Sequence, residues 1–184
     1  MATAETKPQF NLQAAIHNFG PALILLVLLA IAAAMSEVFL TQRNLINVLR
    51  QVSGTGLMAV GMLFVILTRG IDLSVGSVAA LGSVVSALMV QQMAPMASVG
   101  LTMLVGASVG LVSGALIAFL KLPSFVTTLA AMTIARGAAL IASNGQPIRM
   151  GKAGDAITYF GAGSFWGIPF PVWLMGTVFV LAGL

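Results

Sequence analysis

Long apolar runs alternate with short polar breaks along almost the whole chain. The first run is Phe19 to Met35. As a helix it would measure about 26 Å, close to the roughly 30 Å hydrocarbon core of a bilayer. Gln51 to Thr68 and Leu73 to Val90 give about 27 Å each, and Ala97 to Leu120 is longer and free of charge. Ser124 to Ser143 is a further run with Arg136 inside it, and from Val172 onward the chain supplies only about 20 Å of helix. This pattern predicts an all-α, polytopic membrane protein of about six transmembrane segments, the last truncated, and the chain reads as a fragment of a longer protein. Residues 1–18 form a polar tail ahead of a transmembrane domain over 19–184.

The breaks have their own chemistry. Ser36 to Arg50 interleaves apolar and polar residues, as an amphipathic lead-in lying at the interface does. Arg69 to Asp72 separates two spans, and Gln91 to Pro95 makes a short turn. In Lys121-Leu122-Pro123-Ser124, proline suits the start of a new helix and Ser124 is its candidate cap. Asn144 to Phe165 is one long polar loop, after which Trp166 and Trp173 mark re-entry at the depth of an aromatic belt. Ala32-Ala33-Ala34 resembles a signal-peptide cleavage site, but the run before it exceeds the usual h-region of about 7–15 residues. Lys7 is also offset there by Glu5, so a first transmembrane helix is the better reading.

Composition settles the solvent. Only 7% of residues are charged, against about 25% in soluble domains, so the chain cannot solvate its own surface and its partner is a lipid bilayer. The eight Lys and Arg residues give a net charge of +4 but stand singly, which fits interface anchors and excludes a nucleic-acid surface. With the N-terminus inside, Lys7, Arg69 and Lys121 fall inside and Arg43, Arg50, Arg149 and Lys152 outside, so positive charge leans slightly against that orientation. The absence of cysteine excludes disulfides and thiolate chemistry. His17, in the polar tail, has no partner for catalysis. There is no metal-protease motif, serine–histidine pair or phosphate loop, so neither an enzyme nor a cofactor or metal site is expected.

Gly106, Gly110 and Gly114 recur every fourth residue and form a side-chain-free groove where another helix can approach, one of the same subunit in preference to one across a dimer contact. The methionines read as filler. Two places carry polar chemistry inside apolar surroundings. An arginine at a helix centre costs roughly 2.5–3.5 kcal/mol, which the apolar residues of 124–143 only balance. Arg136 is therefore either covered and paired or snorkelling to the interface. In Arg69 to Ser77, Gly70 can end one helix in the left-handed conformation, and Asp72 or Ser74 can cap the next by accepting its free N–H groups. A carboxylate and hydroxyls at a helix break also offer partners to a polar solute, as broken helices do in transporters. Asp72, Ser74 and Arg136 are thus candidates for structure or a translocation path. The lengths of the flanking runs favour a capped turn near a membrane face.

Ala59 to Thr68 followed by Arg69-Gly70-Ile71-Asp72-Leu73-Ser74-Val75-Gly76-Ser77 closely resembles the ribose-type permease subunits of bacterial sugar ABC importers. Phe125 to Gly137 running into Asn144-Gly145-Gln146-Pro147 matches the same family, as does Phe39-Leu40-Thr41 with Asn44-Leu45. Arg69 departs from that string, where a small residue is common. The resemblance covers roughly residues 36–184. It implies a multi-pass inner-membrane permease for a monosaccharide such as ribose, working with a second permease copy, a cytoplasmic ATPase subunit and a periplasmic sugar-binding protein. It also implies that the N-terminus is inside and the 144–165 loop outside. An ion- or proton-coupled secondary transporter is the alternative, motivated by Asp72 and Arg136.

Overall fold

A computed structural model describes residues 12–183, with side chains from Phe19 onward. Its helices are α1 (Leu12–Met35), α2 (Gln42–Leu67), α3 (Val75–Met89), α4 (Pro95–Leu120), α5 (Ser124–Ser143), α6 (Asp155–Ala162) and α7 (Phe170–Leu181). The helical membrane architecture expected from the apolar runs is present. Three of these helices, α2, α4 and α5, are long and apolar enough to cross a bilayer, while the apolar part of α1 and helices α3 and α7 are shorter. Of the tail expected over 1–18, residues from Leu12 on are helical, and residues 1–11 and the side chain of His17 lie outside the described residues.

The chain divides into two compact units, residues 1–47 and 48–184. In the first, Thr41 starts α2. Its carbonyl accepts the N–H of Leu45 at 3.0 Å and its hydroxyl accepts the N–H of Asn44 at 3.4 Å. Asn44 in turn donates from its side chain to the Phe39 carbonyl at 2.8 Å. The amphipathic lead-in expected over 36–50 is therefore no separate element from Gln42 on. A helix once capped propagates cheaply, and the polar residues simply occupy its first turns.

In the second unit α3 packs against α4 and α5, and these three helices form the core. The core is built from small and hydroxylated residues, including Ser77, Gly82 and Ser86 on α3, Ser98 and Ser113 on α4, and Thr128 and Ala135 on α5. In lipid, burial of apolar surface does not drive helices together; close van der Waals contact and interhelical hydrogen bonds do. At Gly82 α3 packs tightly on α4, since a Cβ there would stand 3.1 Å from Thr102 Cγ2. Nearby, Ser98, fully buried, donates its hydroxyl to the Ser86 carbonyl at 3.0 Å. The large apolar side chains point outward instead, Leu111 and Phe119 being 73% and 83% exposed, as a lipid-facing surface requires.

The loop expected over 144–165 contains structure. It includes α6 and a hairpin in which Ser164–Phe165 pairs with Ile168–Pro169. Trp166 and Gly167 both have positive φ, 53° and 77°, the backbone that two-residue hairpin turns require. Rings gather around it: Phe165 stacks on Trp166 with centroids 5.5 Å apart, and Phe170 lies 5.3 Å from Tyr159. Arg50 of α2 donates to the Ala162 carbonyl at the end of α6.

Candidate functional site

Helix α2 ends in a Schellman motif. The N–H of Gly70 bonds to the Val65 carbonyl at 3.0 Å and that of Arg69 to the Ile66 carbonyl at 2.8 Å. The left-handed residue is Arg69, with φ 59°, and not Gly70 as the sequence suggested. Gly70 is required for space: a Cβ there would stand 3.1 Å from Val65 Cγ1 and 3.3 Å from the Val65 carbonyl oxygen.

Residues 70–74 are non-helical and α3 begins only at Val75. Asp72 Oδ1 accepts both the N–H and the hydroxyl of Ser74, each at 2.7 Å. This is an Asx turn that fixes the direction in which α3 starts. Neither Asp72 nor Ser74 caps the free N–H groups of the first turn, contrary to expectation: Asp72 accepts from Ser74 instead, and the Ser74 hydroxyl is turned toward Asp72. Ser74 is buried and Asp72 half-buried.

Two hydroxyls on α5 hold the break from the side. Ser124 Oγ accepts the N–H of Ile71 at 3.3 Å. Thr128 stands 3.1 Å from the Ile71 carbonyl and 2.8 Å from the Ser124 carbonyl, so its single proton is shared between them. Both polar groups of the Ile71 peptide are thus served by side chains one helical turn apart, which irregular backbone in a membrane requires. Ser124 itself is not a cap; Pro123 holds that position.

The depth of the break follows from helix lengths. Val78 of α3 faces Gly106 of α4, 3.7 Å from where a Cβ would stand. Gly106 lies about 21 Å along α4 from Leu120, so α3 starts about 16 Å below the end of α4. Residues 70–74 span at most about 17 Å, which matches that drop. Residues 70–74 thus run from the level of Ser124, at the start of α5, down to the start of α3.

A cleft of about 430 Å³ opens at this level. Thr68, Arg69, Ile71 and Asp72 form one wall, Ser124 and Thr128 another, and Gly110, Ser113 and Gly114 of α4 a third. Among the described residues, Gly106 of the glycine row has a neighbouring helix within 4 Å of a Cβ position, whereas Gly110 and Gly114 have nothing there and border the cleft. Sequence reasoning missed Ser113 altogether, and it missed Ser124 and Thr128 as supports of the break, although their four-residue spacing on one helix face was visible.

Arg136 is elsewhere. The buried stripe of α5 runs through Thr128, Ala135 and Ala139, and Arg136 falls about 100° off it. It is exposed and forms no ion pair among the described residues. A separate shallow cleft beside it, with Ser83 and Val84 of α3, runs toward Ser143 at the helix end, about 10 Å away and within reach of a snorkelling arginine.

Known proteins share much of this sequence. The family described as branched-chain amino acid transport system / permease component matches residues 44–184. The chain belongs to that family. Curated relatives include the ribose import permease protein of Escherichia coli strain K12, 42% identical over 161 residues, 86% of this chain and 50% of that protein. The ribose import permease protein of Bacillus subtilis strain 168 is 39% identical over 167 residues, 90% of this chain and 52% of that one. The L-arabinose ABC transporter permease protein of Azospirillum brasilense is 37% identical over 169 residues, 91% and 49% of the two chains. The chain spans about half the length of these relatives. No solved structure matches it. The family match begins at Asn44, the residue that Thr41 caps, and takes in the whole break between α2 and α3.

Proposed function

We propose that this chain builds part of the translocation path of an ATP-driven, binding-protein-dependent importer of a monosaccharide in a bacterial inner membrane. The observation that carries this reading is the break at Gly70–Ser74, braced by Ser124 and Thr128. Its support from relatives is chemical consistency: those named above import ribose or L-arabinose, and another carries D-allose. The working assembly contains a cytoplasmic ATPase subunit, a periplasmic sugar-binding protein and a second permease copy. The ion-coupled alternative is motivated by Asp72 and Arg136, which border different clefts.

The test is uptake of labelled ribose by proteoliposomes holding the intact permease with its ATPase subunit and binding protein. Uptake is expected with ATP on the ATPase side and no ion gradient, and is lost when the ATPase subunit is left out. Uptake that a proton or sodium gradient drives without ATP overturns the reading.

A further inference from the structure

The cleft beneath the break holds an unspent set of hydrogen-bonding groups. Ser113 is 8% exposed and borders the cleft, and its hydroxyl has no partner among the described residues. That hydroxyl is accessible from the cleft, where it can both donate to and accept from a ligand or water. Asp72 commits Oδ1 to Ser74 and has no partner at Oδ2. Ser124 accepts from Ile71 and keeps its own proton, while Thr68 donates to the Val65 carbonyl and keeps its acceptor lone pairs. Arg69 also borders the cleft and makes no ion pair with Asp72.

These groups fit one class of solute. They mix donors with acceptors, as hydroxyls that do both require; an anion offers only acceptors. One cation and one carboxylate on the same cleft leave its formal charge at zero, so neither an anion nor a cation is favoured. Val65 and Ile117 supply apolar wall for the C–H face of a ring. Gly110 and Gly114 leave the α4 side open, with nothing within 4 Å of a Cβ at either. We propose that this cleft is a contact station for a neutral polyhydroxylated ring, and that Ser113 reads its hydroxyl pattern. The proposal rests on the importer reading above and assigns the residues that meet the sugar.

The absence of cysteine makes the test clean. Gly114→Cys places a thiol in open cleft without a clash. In the intact importer a small water-soluble thiosulfonate is expected to label it. Ribose, L-arabinose or D-allose should slow that labelling, whereas inorganic phosphate and leucine should not. A second arm measures uptake. Ser113→Ala should raise KM about two- to tenfold, the worth of one neutral hydrogen bond, with kcat little changed. Ser108→Ala, whose hydroxyl only bonds the Leu104 carbonyl of its own helix, should change neither. Labelling that no sugar slows, labelling only by lipid-soluble reagents, or protection by leucine in place of sugars overturns the assignment. ATP-driven sugar uptake that persists in that case leaves the importer reading standing, and absence of any sugar uptake brings down both.

Discussion

Arg69 shows how a residue can matter through its backbone. A non-glycine residue in the left-handed region costs about 1–2 kcal/mol, and here that cost closes α2 and frees two carbonyls from solvent. The sequence announced a helix end at this point but not its register, because Arg-Gly offers two positions for one left-handed turn. Only the crowding of Gly70 against Val65 decides between them. Asp72 is different, since a carboxylate two residues before Ser74 is a visible Asx signal. Asp72→Ala removes two charge-assisted hydrogen bonds and should lower stability by about 2–4 kcal/mol. Asp72→Asn keeps the acceptor and should cost less, and Asp155→Asn, exposed in the first turn of α6, should change little. Thermal unfolding of the purified chain in detergent ranks the three; equal losses for Asp72→Ala and Asp155→Asn would remove Asp72 from the structure of the break.

At the scale of elements, the apolar runs located the helices because lipid leaves no other solution for the backbone. They could not give the length of α3, since Leu73 and Ser74 look as apolar or as neutral in a non-helical strap as in a helix. They did not single out Gly82. A repeat every fourth residue marks a groove, but whether a helix enters it depends on tertiary placement. A close approach is at Gly82, isolated in sequence, while Gly110 and Gly114 stay open. Gly82→Val is therefore expected to push α3 off α4 and to lose folded, monodisperse protein in detergent. Gly110→Leu should leave the fold intact and abolish uptake by filling the cleft. Size-exclusion profiles paired with transport assays separate the two, and loss of fold in Gly110→Leu with transport intact in Gly82→Val would reverse the assignment.

Over the whole molecule, the cleft has a side, and which side it is decides its place in transport. Within residues 48–184, Arg69 and Lys121 lie at the end of the bundle where the break enters, and Arg149 and Lys152 follow α5 at the other. That is an even division, and Arg50 is tied to the Ala162 carbonyl, so its charge is held by protein contact rather than free to anchor a loop. Charge alone thus leaves both orientations open, and the resemblance implies the one with the 144–165 segment outside. Single cysteines in this cysteine-free sequence decide the matter. Lys152→Cys should react with an impermeant maleimide added to intact spheroplasts, and Lys121→Cys only after permeabilisation. The break and its cleft then open toward the cytoplasm, and Ser113 meets the sugar late, as it leaves. The reverse labelling would turn the same cleft toward the periplasm and make it the first station after the binding protein. Mutations there would then raise the sugar concentration needed for uptake without slowing release.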